Sequence, residues 1–157
     1  MSVSNRAPFA MNYHLPNVIH LSTRLAVGGQ PTASQLVDAK AMGLKQIINL
    51  RPTTEDAGFD EASEVTEMGI GYHCLPISGR GDLSIENVRR FDALLSQAGN
   101  DSTLVHCASG NRVGALFALR AAWLQGRDTE TALQIGKQHG LTAMLDAVRE
   151  IFSSKQS

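Results

Sequence analysis

A cysteine and an arginine separated by four residues are the most reactive combination in this chain. Residues 104–112 read Leu-Val-His-Cys-Ala-Ser-Gly-Asn-Arg, so Cys107 and Arg112 lie between an apolar run and a second apolar run. We predict a strand over 102–106 and a helix over 113–124, which makes 107–112 the start of that helix. Free amides at such a helix start bind anions, and together with the Arg112 guanidinium they favour the thiolate form of Cys107.

The composition of this loop suits a tetrahedral oxyanion. Arg112 offers a planar fork that grips two oxygens, and Gly110 allows the backbone to turn so that its amides converge. His106 is predicted to hydrogen-bond backbone beneath the loop and to orient Cys107. The sequence therefore predicts a phosphate-binding loop with Cys107 as nucleophile and five substrate-binding residues, Ala108, Ser109, Gly110, Asn111 and Arg112.

Removing phosphate from an alcohol also needs a proton donor at the same edge of the sheet. Asp82, in the glycine-rich segment 78–82, is the predicted general acid, with Glu55 and Asp56 as alternatives. Each has a structural interpretation as well, because acidic side chains commonly cap a helix or occupy its first turn. Arg51 and Arg80 can add positive potential near the phosphate, but we interpret both as solvated.

The elements that must position these residues alternate between strands and helices. A hairpin is predicted from 18–22 and 24–28, and strands over 45–50, 71–77 and 102–106. Helices are predicted over 56–68, 84–97, 113–124, 128–138 and 142–152, and from a cap at Thr32 or Ser34 to residue 42. This order predicts a single α/β domain with a mostly parallel sheet of about five strands flanked by helices. Cys107 falls at the carboxyl edge of the sheet, where such domains bind ligands.

Composition agrees with one compact domain, since 157 residues are 43% hydrophobic and 18% charged. We divide the chain into an N-terminal arm (1–16), a phosphatase-like domain (17–153) and a polar tail (154–157). A net charge of −1 argues against a general nucleic-acid binder. Neither a signal peptide nor a membrane span is predicted, which favours a cytoplasmic location. The sequence leaves the oligomeric state open.

The loop residues resemble those of the cysteine-dependent protein tyrosine and dual-specificity phosphatases, whose signature is His-Cys, a short loop with glycine, and Arg. The chain most resembles a bacterial branch, the beta-lactamase hydrolase-like phosphatase domains, in segments 26–31 (Ala-Val-Gly-Gly-Gln-Pro), 47–51 (Ile-Ile-Asn-Leu-Arg) and 109–112 (Ser-Gly-Asn-Arg). The resemblance covers about residues 17–125. It implies a protein tyrosine phosphatase-like fold. It also implies hydrolysis of a phosphorylated protein or small phosphomonoester through a phosphocysteine, without metal or organic cofactor.

Two departures from that family's pattern keep alternatives open. Most members have a loop one residue longer, and the Ser or Thr that usually follows the arginine is Val113 here. Ser109 is a candidate for the replacement hydroxyl. The shorter loop also resembles that of rhodanese-type sulfurtransferases, whose cysteine carries a persulfide, and Val113 suggests an inactive phosphate-binding module. His106 and the segments 26–31 and 47–51 favour the phosphatase.

The two His-Cys dipeptides, at 73–74 and 106–107, suggest two further hypotheses. Zinc is disfavoured because neighbouring strand residues face opposite sides, so neither dipeptide presents both groups to one metal. Cys74 could instead trap oxidised Cys107 as a reversible disulfide, although a buried apolar role is the simpler interpretation.

Overall fold

A five-stranded sheet forms the centre of the structure, a computed structural model that describes residues 12–155. Its strands are β1 (Ile19–His20), β2 (Leu25–Gly28), β3 (Gln46–Asn49), β4 (Gly71–Cys74) and β5 (Thr103–His106). The order across the sheet is β1-β2-β5-β3-β4, with β1 antiparallel to β2 and every other pair parallel. The predicted edge hairpin and mostly parallel sheet are confirmed.

Within the described residues, six helices flank the sheet. They are α1 (Ala33–Ala41), α2 (Glu61–Glu67), α3 (Ile85–Ala98), α4 (Asn111–Trp123), α5 (Thr129–Gln138) and α6 (Leu145–Lys155). Thr32 caps α1 in a reciprocal capping box with Gln35, and Ser84 and Asp128 cap α3 and α5. These polar side chains satisfy N–H groups that a helix start leaves unpaired, which is why the sequence located these starts.

Alternation along the strands divides the core into two clusters, one on each face of the sheet. Val105 belongs to the cluster formed with α3, α4, α5 and α6, whereas Leu104 belongs to the cluster formed with α1 and α2. His106 has the same parity as Leu104 and therefore faces α2. Cys107 joins the other cluster and is fully buried. The two residues of the His-Cys pair thus reach opposite sides of the sheet.

The predicted helix over 56–68 is wrong in its first part, because α2 begins only at Glu61 with Asp60 as its cap. Residues 51–60 instead form a loop after β3. Arg51 donates a hydrogen bond from Nη2 to the Asp56 carbonyl at 2.9 Å, and Asp56 Oδ1 accepts from the Gly58 N–H at 2.8 Å. These contacts hold the loop in a turn that a continuous helix cannot make.

Other boundaries differ by a few residues. α6 begins at Leu145 rather than 142 because the preceding turn is bound to the Asn111 side chain, and β4 ends at Cys74 rather than 77.

Residues 1–11 of the predicted arm lie outside the described residues, while Tyr13 and Leu15 are buried in the α1–α2 cluster. Among the helices of residues 12–155, none combines the length and apolar character that crossing a bilayer requires.

Candidate active site

The loop of residues 107–112 connects the end of β5 to the start of α4, as predicted. Its carbonyl groups are bound from outside: Ala108 O accepts from the Gln30 N–H at 3.0 Å, and Ser109 O accepts from Asn17 Nδ2 at 3.0 Å. On the inner side, the Gly110 N–H donates to Cys107 Sγ at 3.0 Å. The loop therefore directs the Gly110 amide towards the sulfur, whereas the Ala108 and Ser109 carbonyl groups are bound by residues outside the loop.

The start of α4 lacks a side-chain cap. Gly110 occupies the cap position with φ of 101°, a left-handed conformation that favours glycine, and it has no side chain to bind the first N–H groups. Four other helices do have such a cap, from Thr32, Asp60, Ser84 and Asp128. The first amides of α4 are thus left for an anion in the loop.

Close packing of β2 against the loop explains the Gly-Gly pair in segment 26–31. A Cβ atom at Gly29 would lie 2.5 Å from the Ala108 carbonyl oxygen, which is closer than real Cβ contacts allow. The same approach brings the Gln30 N–H to that oxygen and the Gly28 carbonyl to the Cys107 N–H at 3.2 Å. Any side chain at position 29 would push the end of β2 away from the loop.

Arg112 extends from the first turn of α4 and is held by two oxygen-bearing groups. Nη1 donates to Glu55 Oε2 at 2.8 Å and to the Ile77 carbonyl at 2.9 Å, and Nη2 donates to Glu55 Oε1 at 3.1 Å. These contacts use three of the five guanidinium hydrogens, leaving Nε–H and one Nη2 hydrogen as a fork. The pKa of Arg112 is raised, chiefly by the Glu55 hydrogen bonds and also by the Cys107 sulfur beside it.

Glu55 binds two arginines at once. Besides Arg112, it accepts from Arg51 Nε at 3.0 Å, and the Arg112 hydrogen bond is the largest cause that lowers the pKa of its carboxyl. Arg51 itself is only 9% exposed, so its interpretation as a solvated side chain is wrong. A carboxylate kept ionised by two guanidinium groups is a poor proton donor.

Asp82 ends a short 3₁₀ turn, Arg80–Asp82, in the segment that follows Ile77. Its Oδ2 accepts from the Ser78 N–H at 2.7 Å, next to the Ile77 carbonyl that holds Arg112. The carboxyl group and the guanidinium therefore bind the same peptide unit, but on opposite edges, because the N–H and C=O of a trans peptide point in opposite directions. Arg80 is about half exposed and pairs with Glu150 on α6. Its interpretation as a solvated residue agrees with this exposure.

His106 makes two hydrogen bonds beneath the loop. Nδ1 lies 3.2 Å from the Cys107 carbonyl oxygen, and Nε2 lies 2.6 Å from Glu61 Oε2. Glu61 also accepts from Gln30 Nε2 at 2.7 Å, while Gln30 Oε1 accepts from Arg51 Nη1. Our sequence reasoning missed Glu61 and Gln30. Spacing could have indicated Glu61, because it precedes buried Val65 by one helical turn and therefore shares its face.

The side chain of Asn111 is bound to the turn before α6. Its Oδ1 accepts from the Thr142 N–H at 2.8 Å and the Met144 N–H at 3.1 Å, in the turn before α6. The side-chain oxygen of Asn111 therefore binds a neighbouring segment of the protein, outside the loop where the sequence predicted a substrate contact. Ala108 and Ser109 are exposed at the rim of the loop.

The structure contradicts a disulfide between Cys74 and Cys107. β3 lies between their strands, since Asn49 is in register with Cys74 on one side and with His106 on the other. Two strand spacings amount to about 9.5 Å, beyond the roughly 7 Å that a disulfide tolerates between Cα atoms. Among residues 12–155, no group of three or more His, Cys, Asp or Glu side chains is placed to hold a metal ion.

Solved structures with the same arrangement of elements define the class of fold. A DUF442 protein from Shewanella putrefaciens CN-32 superposes with a TM-score of 0.69 at 22% identity, covering 89% of this chain and 88% of the other. Tk-PTP in its active form superposes with a TM-score of 0.66 at 18% identity, covering 90% of this chain and 97% of the other. The fold is that of the cysteine-dependent protein tyrosine phosphatases.

Sequence comparison then gives the family. The family model of the beta-lactamase hydrolase-like protein, phosphatase-like domain, matches residues 17–123, and this chain belongs to that family. The beta-lactamase hydrolase-like protein of Agrobacterium fabrum is 31% identical over 127 residues, which cover 78% of this chain. The match spans only 29% of the length of that relative, so the chain corresponds to one part of it.

Proposed function

We propose that this chain hydrolyses phosphomonoesters through a covalent phosphocysteine on Cys107. The observation that carries the proposal is the Gly110 N–H donated to the Cys107 sulfur at 3.0 Å, in a loop whose next helix begins with Arg112 held by Glu55 and the Ile77 carbonyl. The loop binds its carbonyls outside and leaves the first amides of α4 without a side-chain cap. Such a cradle stabilises the negative charge of a phosphoryl group on its way to sulfur. Membership of a phosphatase-like family supports the same activity.

The reaction has two steps. The Cys107 thiolate attacks phosphorus, the bond to the leaving oxygen breaks, and Asp82 gives that oxygen a proton, which releases an alcohol or phenol. Water then attacks the phosphocysteine, Asp82 takes a proton from the water, and inorganic phosphate leaves as the thiolate re-forms. Throughout, the Arg112 fork and the loop amides hold the nonbridging oxygens.

Asp82 is the general acid in this proposal, rather than Glu55 or Asp56. Glu55 is bound to Arg51 and Arg112, and its pKa is lowered by these contacts. Asp56 is exposed and caps the Gly58 N–H. Asp82 lies beside the segment that holds Arg112 and has one carboxyl oxygen bound to Ser78, which orients the other.

The test is phosphate release from an aryl phosphate as a function of pH. We expect Cys107→Ser to abolish release and Asp82→Asn to lower kcat by about 100-fold or more while removing the basic limb of the profile. Asp38→Asn, a change of an exposed aspartate on α1, is the matched control and should leave the profile unchanged. Release that survives Cys107→Ser would refute the covalent mechanism.

Two observations favour sulfur transfer as a second candidate function. Only four residues separate Cys107 from Arg112, and the position after the arginine is the fully buried Val113, which has no hydroxyl to assist breakdown of a phosphocysteine. In this reaction the Cys107 thiolate takes the outer sulfur of thiosulfate and releases sulfite. The resulting persulfide then gives that sulfur to cyanide, forming thiocyanate and restoring the thiolate.

A thiosulfate-to-cyanide assay on the same preparations separates the two candidates. Sulfur transfer predicts thiocyanate formation that Cys107→Ser abolishes and Asp82→Asn leaves unchanged, because no leaving oxygen needs a proton. It also predicts Cys107 heavier by one sulfur atom after thiosulfate treatment. Phosphate release without thiocyanate would exclude this candidate.

A further inference from the structure

A buried acid–base pair lies on the α2 side of the sheet, next to the backbone of the proposed nucleophile. Glu61 is 5% exposed and His106 is 0% exposed, and Glu61 Oε2 is 2.6 Å from His106 Nε2. Removing ionisable groups from water is costly, so a buried pair of this kind depends on its mutual hydrogen bond and on partners for its remaining polar atoms. The pair reaches the active site through His106 Nδ1, which lies 3.2 Å from the Cys107 carbonyl oxygen.

The surrounding hydrogen bonds fix how many protons the pair holds. The Cys107 carbonyl can only accept, so Nδ1 of His106 must carry a hydrogen. Arg51 can only donate, so Gln30 turns its oxygen to Arg51 and its NH₂ to Glu61 Oε1. Glu61 Oε1 is thereby occupied as an acceptor, and the remaining contact, between Oε2 and Nε2, contains a second proton.

We propose that Glu61 is a positioning residue that acts through His106, keeping this second proton on or beside the imidazole ring so that its positive end stabilises the Cys107 thiolate. This inference deepens the proposed function, since it concerns the same nucleophile. The proposed effect of Glu61 on the Cys107 thiolate is opposite in sign to the effect of an unpaired negative charge. A bare carboxylate near a thiol disfavours the thiolate, whereas a carboxylate that keeps a proton on an imidazole ring bound to the backbone of the cysteine favours it.

Other titratable and charged groups face the pair, and they are the same residues in the variant and in the unaltered protein. Arg112 lies beside Cys107 on α4, and Arg51 and Glu55 reach the pair from the loop after β3 through Gln30. Tyr72 on β4 lies near enough to Glu61 for the carboxylate to help raise the pKa of its hydroxyl, after burial as the larger cause. None of these groups is changed by a substitution at position 61.

Cys74 provides a second thiol that feels the bare charge of Glu61. Cys74 is exposed, so its interpretation as a buried apolar residue is wrong, but partial desolvation raises the pKa of its thiol and the Glu61 carboxylate raises it further. No imidazole proton is interposed on that side, since Cys74 Sγ donates to the Arg51 carbonyl at 3.5 Å. The two thiols of the chain should therefore respond to the loss of Glu61 in opposite directions.

The test is Glu61→Gln, which can keep every hydrogen bond of the pair. The amide oxygen would accept from Gln30, and the amide NH₂ would donate to a neutral His106 ring, so the contacts remain while the second ring proton is lost. We would measure iodoacetamide alkylation of Cys107 and Cys74 from pH 4 to 11 (about the span of thiol titration in proteins) by peptide mass spectrometry. For each thiol, the alkylation midpoint of the variant is compared with that of the same thiol in the unaltered protein.

We expect the alkylation midpoint of Cys107 to rise by about one pH unit in Glu61→Gln, the effect of a lost dipole rather than a full charge. The midpoint of Cys74 should fall. Glu64→Gln, at an exposed position on the same helix, is the matched control and should shift neither thiol. A Cys107 midpoint that falls together with that of Cys74, or that does not move, overturns the proposal.

Glu61→Asp separates a proton effect from a packing effect. It keeps the carboxylate on a shorter side chain, so its Cys107 midpoint should stay near that of the unaltered protein. A shift as large as that of Glu61→Gln would overturn the proposal in favour of a structural role. Thermal unfolding followed by circular dichroism establishes that each variant is folded at the assay temperature. If Glu61→Gln is not, His106→Asn replaces it, with the same rise expected for Cys107 and an unchanged midpoint as the refuting result.

Alkylation of Cys107 does not require turnover. The positioning role of Glu61 and the proposed phosphatase function can therefore be refuted independently of each other. Opposite shifts of the two thiols without phosphate release from any aryl phosphate would retain the positioning role and refute the proposed function. Phosphate release that depends on Cys107, together with an unchanged Cys107 alkylation midpoint in Glu61→Gln, would support the proposed function and refute the positioning role of Glu61.

Discussion

Replacing Glu55 with Gln tests whether the ion pair with Arg112 orients the free N–H groups of the guanidinium for binding phosphate. The Glu55 carboxylate accepts from both Nη1 and Nη2 of Arg112, at 2.8 and 3.1 Å, and so fixes the plane of the guanidinium. An amide has one acceptor atom and places its NH₂ against a donor at the other. In Glu55→Gln, Arg112 keeps the Ile77 carbonyl but loses its planar partner, so its remaining fork is no longer held in one orientation.

The size of the effect follows from the burial of the pair. Hydrogen bonds to charged groups contribute about 1.5–3 kcal/mol. Because Glu55 is 32% exposed, water weakens this contact, and we take the lower end, about 1.5 kcal/mol. That corresponds to roughly a tenfold loss in kcat/KM. Removing a negative charge near a phosphate dianion acts in the opposite direction, so we expect a loss of about five- to tenfold.

The assay is the pH-dependent hydrolysis of an aryl phosphate, together with competitive inhibition by inorganic phosphate. The inhibition constant should rise by the same factor as kcat/KM falls, since both depend on the fork. Glu86→Gln, at an exposed position in the first turn of α3, is the control and should change neither. Unchanged or tighter phosphate binding in Glu55→Gln would show that the carboxylate competes with phosphate rather than orienting Arg112.

Three further predictions concern stability. Gly114→Ala should lower the free energy of unfolding by about 2 kcal/mol or more in denaturant titration, because its Cβ would lie 2.2 Å from the Leu141 nitrogen, whereas Gly81→Ala, in open space, should be neutral. Asn111→Ala should cost about 1–2 kcal/mol by calorimetry, since the turn before α6 loses its acceptor; an unchanged melting temperature would contradict this role. Finally, the lowered pKa of Glu55 means that its contribution to stability is present above the unfolded-state pKa and disappears as the pH falls through the folded-state value. Glu55→Gln should accordingly flatten the acid limb of the stability curve, and parallel curves for the two proteins would refute this.

Local patterns were sufficient for most of the elements. Capping residues and glycines gave the starts and ends of α1, α3 and α5, and the alternation of strands and helices gave the parallel sheet. The start of α2 could not be read in this way, because Asp56 and Asp60 are equally good caps. Arg51 decides between them from outside the segment by binding the Asp56 carbonyl.

The site shows the same division between short-range and long-range information. Cys107, Gly110 and Arg112 are neighbours in the chain, so their spacing was enough to predict a loop that directs amides and a guanidinium at a sulfur. Glu55 and Glu61 meet Arg112 and His106 only because β3 and β5 are adjacent in the sheet. The residues next to an acidic side chain in the sequence do not indicate which distant side chain it will contact in the folded protein.

By itself the sequence determined the loop that carries Cys107, Gly110 and Arg112 from the end of β5 to the start of α4, because this loop depends on residues a few positions apart and on the rule that a helix start exposes its amides. Only the tertiary structure decided that Arg51 is buried, that Glu55 joins two arginines, that Gln30 connects them to Glu61, and that Cys74 is too far from Cys107 for a disulfide. The physical reason is that burial and ion pairing depend on which strands lie side by side. Strand order is set by packing of the whole domain, not by any single segment.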